Sequence, residues 1–500
     1  MFQSNIPHYR LIRRNNRIMS ELNTLEPVNV FHYFEEISKI PRGSGNTAAM
    51  TKYLMDFAAA KGLSAESDEA GNVIIRKDAS AGYEEVPTVI LQGHVDMVCA
   101  KTPESKHDFT TDPISLIVEG DYLHADGTTL GGDDGIAVAY MLAILDDKAA
   151  AHPALECVFT TDEETGLLGA NALDFSKLKG RKLINIDSEK EGVLTVGCAG
   201  GIRVDNVIPV GRATVKGLPV LVEVRGLKSG HSGDAIDKGR LNANKLLARY
   251  LMELDGVAPF SLVDVSGGDK DNAIPAFSRT HFVIDEDDLA AARTFTEEFT
   301  AKVRREYAKT DDTFTITLES GHTHKVTALD ADSQEKILLF LNQAPDGVFH
   351  MSGTTPGLVQ TSSNLGIMRT GEKQFVATSL VRSSVLTERD FLADKFENLT
   401  SFLGGSVIKR SGYPAWEYKE DSDLRDLMIE VYRAIYEEDP KITMIHGGLE
   451  CGIFYGKAND IDAVSIGPDI IAIHTPDEKL SISSVERVFD FLLSVLASMS

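Results

Sequence analysis

The sequence predicts an open α/β sheet domain interrupted by a second domain of strands and helices. Three observations carry this. Over the first 200 residues short apolar runs alternate with stretches of helical periodicity. At CAGGIRVDNVIPV (198–210) the pattern changes to alternating strands and amphipathic helices with polar outer faces. After Gly404-Gly405 and Tyr413-Pro414 the first pattern resumes. Strands that alternate with helices build an open sheet. A chain of 500 residues also exceeds one ordinary core.

The elements follow in order. VNVFHYFEEISKI (28–40) and TAAMTKYLMDFAAAKG (47–62) have helical spacing, the second ending at Gly62. Strands are expected at NVIIRK (72–77), VPTVILQG (86–93), ALECVFT (154–160) and KLINID (182–187). DGIAVAYMLAILDD (134–147) is apolar almost throughout and must be a buried helix. In the inserted segment PVLVEVRGLK (219–228) and TFTITLES (313–320) alternate as strands, while 241–254, 292–307 and 335–343 read as helices. QTSSNLGIMRTGEKQFVATSLVRS (360–383) reads as a hairpin turning at Thr370-Gly371. The last part offers a helix (422–437), strands KITMIHG (441–447) and DAVSIG (462–467), and a terminal amphipathic helix (485–499).

Composition bounds the function. Apolar residues at 43% and charged residues at 25% are those of a soluble globular protein. A net charge of −25 argues against nucleic acid or an anionic membrane as partner. No apolar run reaches the roughly 18 residues a membrane span requires. Cys99, Cys157, Cys198 and Cys451 lie far apart with no C-x-x-C spacing, so buried thiols in a reducing, cytoplasmic compartment are expected. The start, MFQSNIPHYRLIRRNNRIMSEL, is arginine-rich without an apolar core, unlike a secretory signal. Residues 1–18 are expected to be a poorly ordered extension, with the folded chain beginning near Met19.

The chemistry lies just past the strands of the first pattern. His94 and Asp96 follow VILQG, Asp133 and Asp134 open the buried helix, Glu163 and Glu164 follow ALECVFT, Asp187 follows LINI, and His474 follows SIG. Singly, each has an ordinary reading: a turn, a core imidazole, or an N-cap favoured by the helix dipole. Together they put hard or borderline metal ligands at the carboxyl ends of strands, the rim where open α/β sheets bind ligands. Two histidines with several carboxylates suit Zn²⁺ or Mn²⁺. One zinc takes three or four protein groups and more are present, so two ions sharing a bridging carboxylate are expected. In that arrangement a water loses its proton near neutral pH and needs a base to pass that proton to the leaving amine. If TDEETG is extended, adjacent Glu163 and Glu164 point to opposite sides and can divide these tasks.

GHVDMV, LGGDDG, TDEETG, NIDSEKEG, GHSG and IHTPDE occur in an order that resembles the dinuclear-zinc exopeptidase and deacylase clan. The longer strings GHVDMVCAK, GLKSGHSGDAIDKGRLNANKLLAR, DNAIP, IHGGLECGIF and SIGPDIIAIHTPDE resemble the aminoacyl-histidine dipeptidases within it, from about Met19 to the end. The resemblance implies an α/β, open mixed-sheet catalytic domain (19–200 and 406–500) with a smaller inserted α+β lid and dimerisation domain (201–405). It implies a metallo-dipeptidase that cleaves unblocked dipeptides, preferentially Xaa-His including β-Ala-His, as a homodimer through the lid. The rival readings are a tripeptidase or N-acyl amino-acid deacylase of the same clan, or a non-catalytic peptide-binding protein.

Residue by residue, the resemblance makes His94, Asp133, Glu164, Asp187 and His474 the ligands of two Zn²⁺, with Mn²⁺ or Co²⁺ as substitutes. Asp133 bridges and is followed by a cis peptide; Asp187 completes the His94 ion, and Glu164 with His474 the other. Asp96 orients His94 through its carboxylate, as a ligating imidazole normally requires, and Glu163 is the general base. His231 in GHSG matches a histidine that reaches the other subunit's site and polarises the scissile carbonyl. Asn272 and Arg382 match positions that hold the substrate backbone and its carboxylate, and Glu450 is expected at the site wall or on the substrate amine. Three departures bear on side-chain preference: Asp134 where the dipeptidase group usually has Asn, Ala276 where a basic residue is expected, and the acidic run after His231.

Overall fold

The computed structural model describes residues 22, 24–353, 355–458 and 460–499. The expected extension 1–18 and the start near Met19 lie outside the described residues. The chain divides into two compact units. One comprises the chain up to Gly197, Tyr418–Thr443 and the part from Leu449 onward; the other comprises Cys198–Glu417 and Met444–Gly448. The inserted unit thus extends beyond Gly405, because strand Ser406–Tyr413 pairs with Gly200–Pro209 and belongs to its sheet.

The first unit is built on an eight-stranded mixed sheet. Its centre is parallel: Val89–His94 lies between Leu155–Thr160 and Lys182–Asn185, and Asp462–Ser465 follows on the far side of the latter. Its margins are antiparallel, with Val73–Lys77 on Leu155–Thr160 and Ser64–Ser67 outside it. Every residue of Val89–His94 and of Leu155–Thr160 is buried, as a sheet covered on both faces requires. Helix Gly132–Asp146 lies against one face: a Cβ on Gly93 would collide with that of Ala137. Its apolar sequence is buried almost throughout, as its composition predicts. Helix Ala48–Lys61 ends at Gly62, whose left-handed φ of 71° only glycine adopts freely.

A small antiparallel sheet of Leu116–Glu119, Tyr122–Ala125, Lys479–Ser481 and Ile470–Ile471 completes this unit. Sequence reading missed these strands, since runs of two to four residues are too short to show a period. Cys157, Cys198 and Cys451 are buried as expected, but Cys99 is exposed.

The second unit is a ten-stranded sheet whose strand pairs are antiparallel. Its helices Ala243–Leu254, Leu289–Glu306, Ala331–Gln343 and Leu386–Phe402 bury Tyr250, Phe299, Phe340 and Phe396 in a shared core with Val220, Val222 and Phe375 from the strands. The hairpin Val359–Thr370 and Gln374–Ser383 turns where the sequence indicates. Among the described residues no helix is long and apolar enough to cross a membrane.

Candidate metal centre

The parallel strands end together, and their loops deliver the site. His94 is the last residue of its strand and is 1% exposed. Its Nε2 lies 3.1 Å from Asp133 Oδ1 and 3.6 Å from Asp187 Oδ1. The other oxygen of Asp133 lies 3.1 Å from His474 Nε2, which is itself 3.0 Å from Glu164 Oε1. One carboxylate is therefore shared between two histidines, each of which has a second carboxylate. Donors about 2.0–2.2 Å from a tetrahedral zinc stand about 3.3 Å apart, so these separations suit cation-binding sites. The five residues expected as ligands are brought together.

The electrostatics agree with a cation fit. Burial would lower His94, yet Asp187, Asp133 and Asp96 hold its pKa well above the ordinary value. Asp133 and Glu164 push His474 up to about 11. Burial, with nearby Asp133 and Glu164, raises Asp187 to about 6 despite His94. Burial likewise raises Glu163 well above the carboxylate range, opposed by His94 and aided by Asp187, Glu164 and Glu450. Positive charge at this cluster would relieve each of these raised acids.

Local structure explains the placement. The Asp133-Asp134 peptide is cis, and both residues have non-helical φ and ψ at the head of their helix. Asp134, not counted as a ligand from sequence, is 2% exposed and accepts a hydrogen bond from the His94 N–H at 3.1 Å. Its carboxylate also faces the cluster, since ligand atoms of His94, Asp134 and Asp187 lie within 4.8 Å of one another. Ligand atoms of His94, Asp133 and Glu164 do the same.

The loops around His94 differ from expectation in detail. The closest partner of His94 Nδ1 is the Asp96 main-chain carbonyl, at 3.1 Å, with the carboxylate farther away at 3.5 Å. That carboxylate accepts from the Glu163 N–H at 3.0 Å, the Glu164 N–H at 3.4 Å and the Ser44 hydroxyl at 2.8 Å. TDEETG is accordingly a turn rather than an extended segment: Asp162 has a φ of 54° and the Gly166 N–H donates to the Glu163 carbonyl. Asp96 holds this turn, and the turn presents the two glutamates differently. Glu164 reaches His474, whereas the half-buried Glu163 carboxylate has no hydrogen bond among the described residues.

Glu450 is not on a wall of the site. It is 0% exposed, and its Oε2 accepts from Gln92 Nε2 at 2.5 Å and Thr160 Oγ1 at 2.6 Å. Burial raises it to about 7, with His94 and Thr160 opposing. A carboxyl enclosed in this way cannot meet a substrate amine. It fills the sheet face one step behind His94, where Gln92 also bonds Asn185.

His231, Asn272 and Arg382 belong to the second unit. Arg382 is 4% exposed and donates to the Tyr413 hydroxyl at 2.7 Å, and its Nη2 lies 3.4 Å from His231 Nε2. The Asn272 carbonyl accepts from the Ser232 N–H at 2.8 Å, which places DNAIP beside GHSG. Arg382 Nε is buried without a hydrogen bond, so this guanidinium has capacity left for an anion.

Sequence reading missed His446, which is 5% exposed with its Nε2 2.6 Å from the Ser362 hydroxyl. Burial and the Arg382 charge push its pKa down to about 3. The unfolded imidazole titrates near about 6.5. Between these values the unfolded chain binds the additional proton, so this contribution is complete above pH ~6.5 and lost as pH falls toward ~3. The urea midpoint of His446→Gln is expected to fall less steeply than that of the wild type across this window. Parallel slopes would contradict it.

Known proteins resemble this chain over nearly its whole length. The profile of peptidase family M20/M25/M40 matches residues 90–498. A cytosol non-specific dipeptidase of Escherichia coli (strain K12) is 35% identical over 485 residues, 96% of this chain and 99% of that protein. The crystal structure of an aminoacylhistidine dipeptidase from Vibrio alginolyticus superposes with a TM-score of 0.85 at 34% identity, covering 97% of this chain and 99% of that one. An aminopeptidase of Bacillus cereus, at 15% identity, 95% and 98% coverage and a TM-score of 0.55, shares the fold.

Proposed function

The chain belongs to peptidase family M20/M25/M40 and is a metal-dependent hydrolase, and on that premise we propose that it hydrolyses unblocked dipeptides, preferentially Xaa-His including β-Ala-His. The observation that carries this reading is the shared Asp133 carboxylate between two histidine–carboxylate pairs. It occurs in a chain that aligns nearly end to end with two dipeptidases. One relative is named a non-specific dipeptidase and the other an aminoacylhistidine dipeptidase, which supports a dipeptide substrate.

In this reading two divalent cations, zinc with manganese or cobalt as substitutes, would be held by His94, Asp133 and Asp187 and by Asp133, Glu164 and His474. When bound they supply Lewis acidity to the scissile carbonyl and acidity to a water. Glu163 takes the water's proton and delivers it to the leaving nitrogen. His231 donates a hydrogen bond to the carbonyl oxygen, acting across a homodimer formed through the second unit. Asn272 holds the peptide backbone, and Arg382 grips the free carboxylate with parallel N–H bonds. A cytoplasmic location belongs to this reading and is supported by the name of the Escherichia coli relative, a cytosol dipeptidase.

The test is metal-dependent release of histidine from Ala-His and β-Ala-His beside tripeptides and acetyl-amino acids. Dipeptides are expected to be the preferred substrates, and comparable turnover of acetyl-amino acids would overturn the reading in favour of a deacylase. Arg382→Ala is expected to raise KM for Ala-His by about 10–100-fold, the worth of a charged hydrogen bond, and to leave Ala-His amide unchanged. An equal rise for both substrates would remove Arg382 from carboxylate recognition.

A further inference from the structure

Three of the loops that carry the proposed ligands share an anchor among residues given no role so far. Glu478 lies four residues after His474 and is 2% exposed. Its carboxylate accepts four consecutive main-chain N–H groups. Oε2 takes those of Leu130 at 2.8 Å and Gly131 at 3.0 Å, and Oε1 those of Gly132 at 2.8 Å and Asp133 at 3.3 Å. Such a run of converging amides is an anion-binding nest, and here the anion is a side chain of the same protein.

The same turn is held through its carbonyl side by Arg42, also 2% exposed. Its Nη2 donates to the Gly131 carbonyl at 2.5 Å, and its Nη1 to the Val95 carbonyl at 3.0 Å and the Asp96 carbonyl at 3.4 Å. Arg42 thereby joins the loop after His94 to the loop before Asp133, and Glu478 joins the latter to the loop of His474. The glycines of LGGDDG fit this frame. A Cβ at Gly131 would stand 2.5 Å from Arg42 Nη2, and one at Gly132 would stand 3.2 Å from Glu478 Oε1. Gly131 also has a φ of 69°, which side chains rarely adopt.

We propose that Glu478 is a positioning residue for metal binding, fixing the main chain of Asp133 so that its carboxylate is held between His94 and His474. This rests on the reading of Asp133 as the shared ligand. A carboxylate suits the task because both of its oxygens are acceptors. In Glu478→Gln one oxygen becomes an amide NH₂ facing two N–H donors, so half of the nest is left opposed and the Asp133 backbone is released.

The test uses the full chain stripped of metal and titrated with zinc against a competing chelator. Wild type is expected to take up two ions per chain, and Glu478→Gln to bind with about 10–100-fold weaker affinity, the usual effect of losing a supporting partner. The metal-stripped variant should keep a cooperative melt, with faster hydrogen exchange at the amides of 130–133. A merely structural role would lower the Tm of the stripped protein and leave zinc affinity unchanged, and that result overturns the proposal. If wild type takes up no zinc, the reading of the site fails and the proposal with it. Should the Gln variant not fold, Glu478→Asp serves, keeping both acceptors one methylene short. An intermediate affinity supports the proposal, and wild-type affinity overturns it.

Discussion

Glu163→Gln is expected to lower kcat by about 10²–10⁴-fold, the usual worth of a general acid–base group, with metal content unchanged. Glu163 sits in a turn that Asp96 pins through its N–H, and its carboxylate has no hydrogen bond among the described residues. Burial and the neighbouring acids raise its pKa, an effect that bound cations would oppose. Glutamine keeps the shape and loses the ability to take a proton. Steady-state kinetics beside elemental analysis would check this, and a variant with full turnover and full metal would remove Glu163 from the base role.

Asp133→Ala should do more, because one change removes a partner from both histidines. His94 keeps Asp187 at 3.6 Å and His474 keeps Glu164 at 3.0 Å, but nothing then spans the two. The expected result is loss of most bound metal and a drop in turnover of about 10⁴-fold or more, at least that of the base variant. The two variants should therefore separate cleanly: one inactive and metal-loaded, the other inactive and metal-poor. Two ions retained by Asp133→Ala would show that Asp133 does not bridge.

Much of this architecture is legible in the sequence, for physical reasons. The central strands are fully buried and therefore nearly continuous apolar runs, so their ends, and the polar residues just beyond, stand out. His94, Asp133, Glu164, Asp187 and His474 were visible by that route. What was not legible acts through the main chain or through enclosure. Arg42 and Glu478 bind peptide groups, and a peptide group leaves no mark on residue type. Glu450 lies beside ligating motifs, but only its enclosure by Gln92 and Thr160 shows that it faces inward. The turn at TDEETG was misjudged as extended because its bend depends on Asp96, which is distant in sequence.

Strand Asp462–Ser465 lies inside the eight-stranded sheet, next to Lys182–Asn185, and the loop bearing His474 comes after it. During synthesis the ribosome makes the whole inserted unit before this strand exists. The sheet lacks this inner strand, and one histidine of the pair is missing, until residues 462–474 emerge. A nascent chain at that stage carries Glu163 and Glu164 without His474.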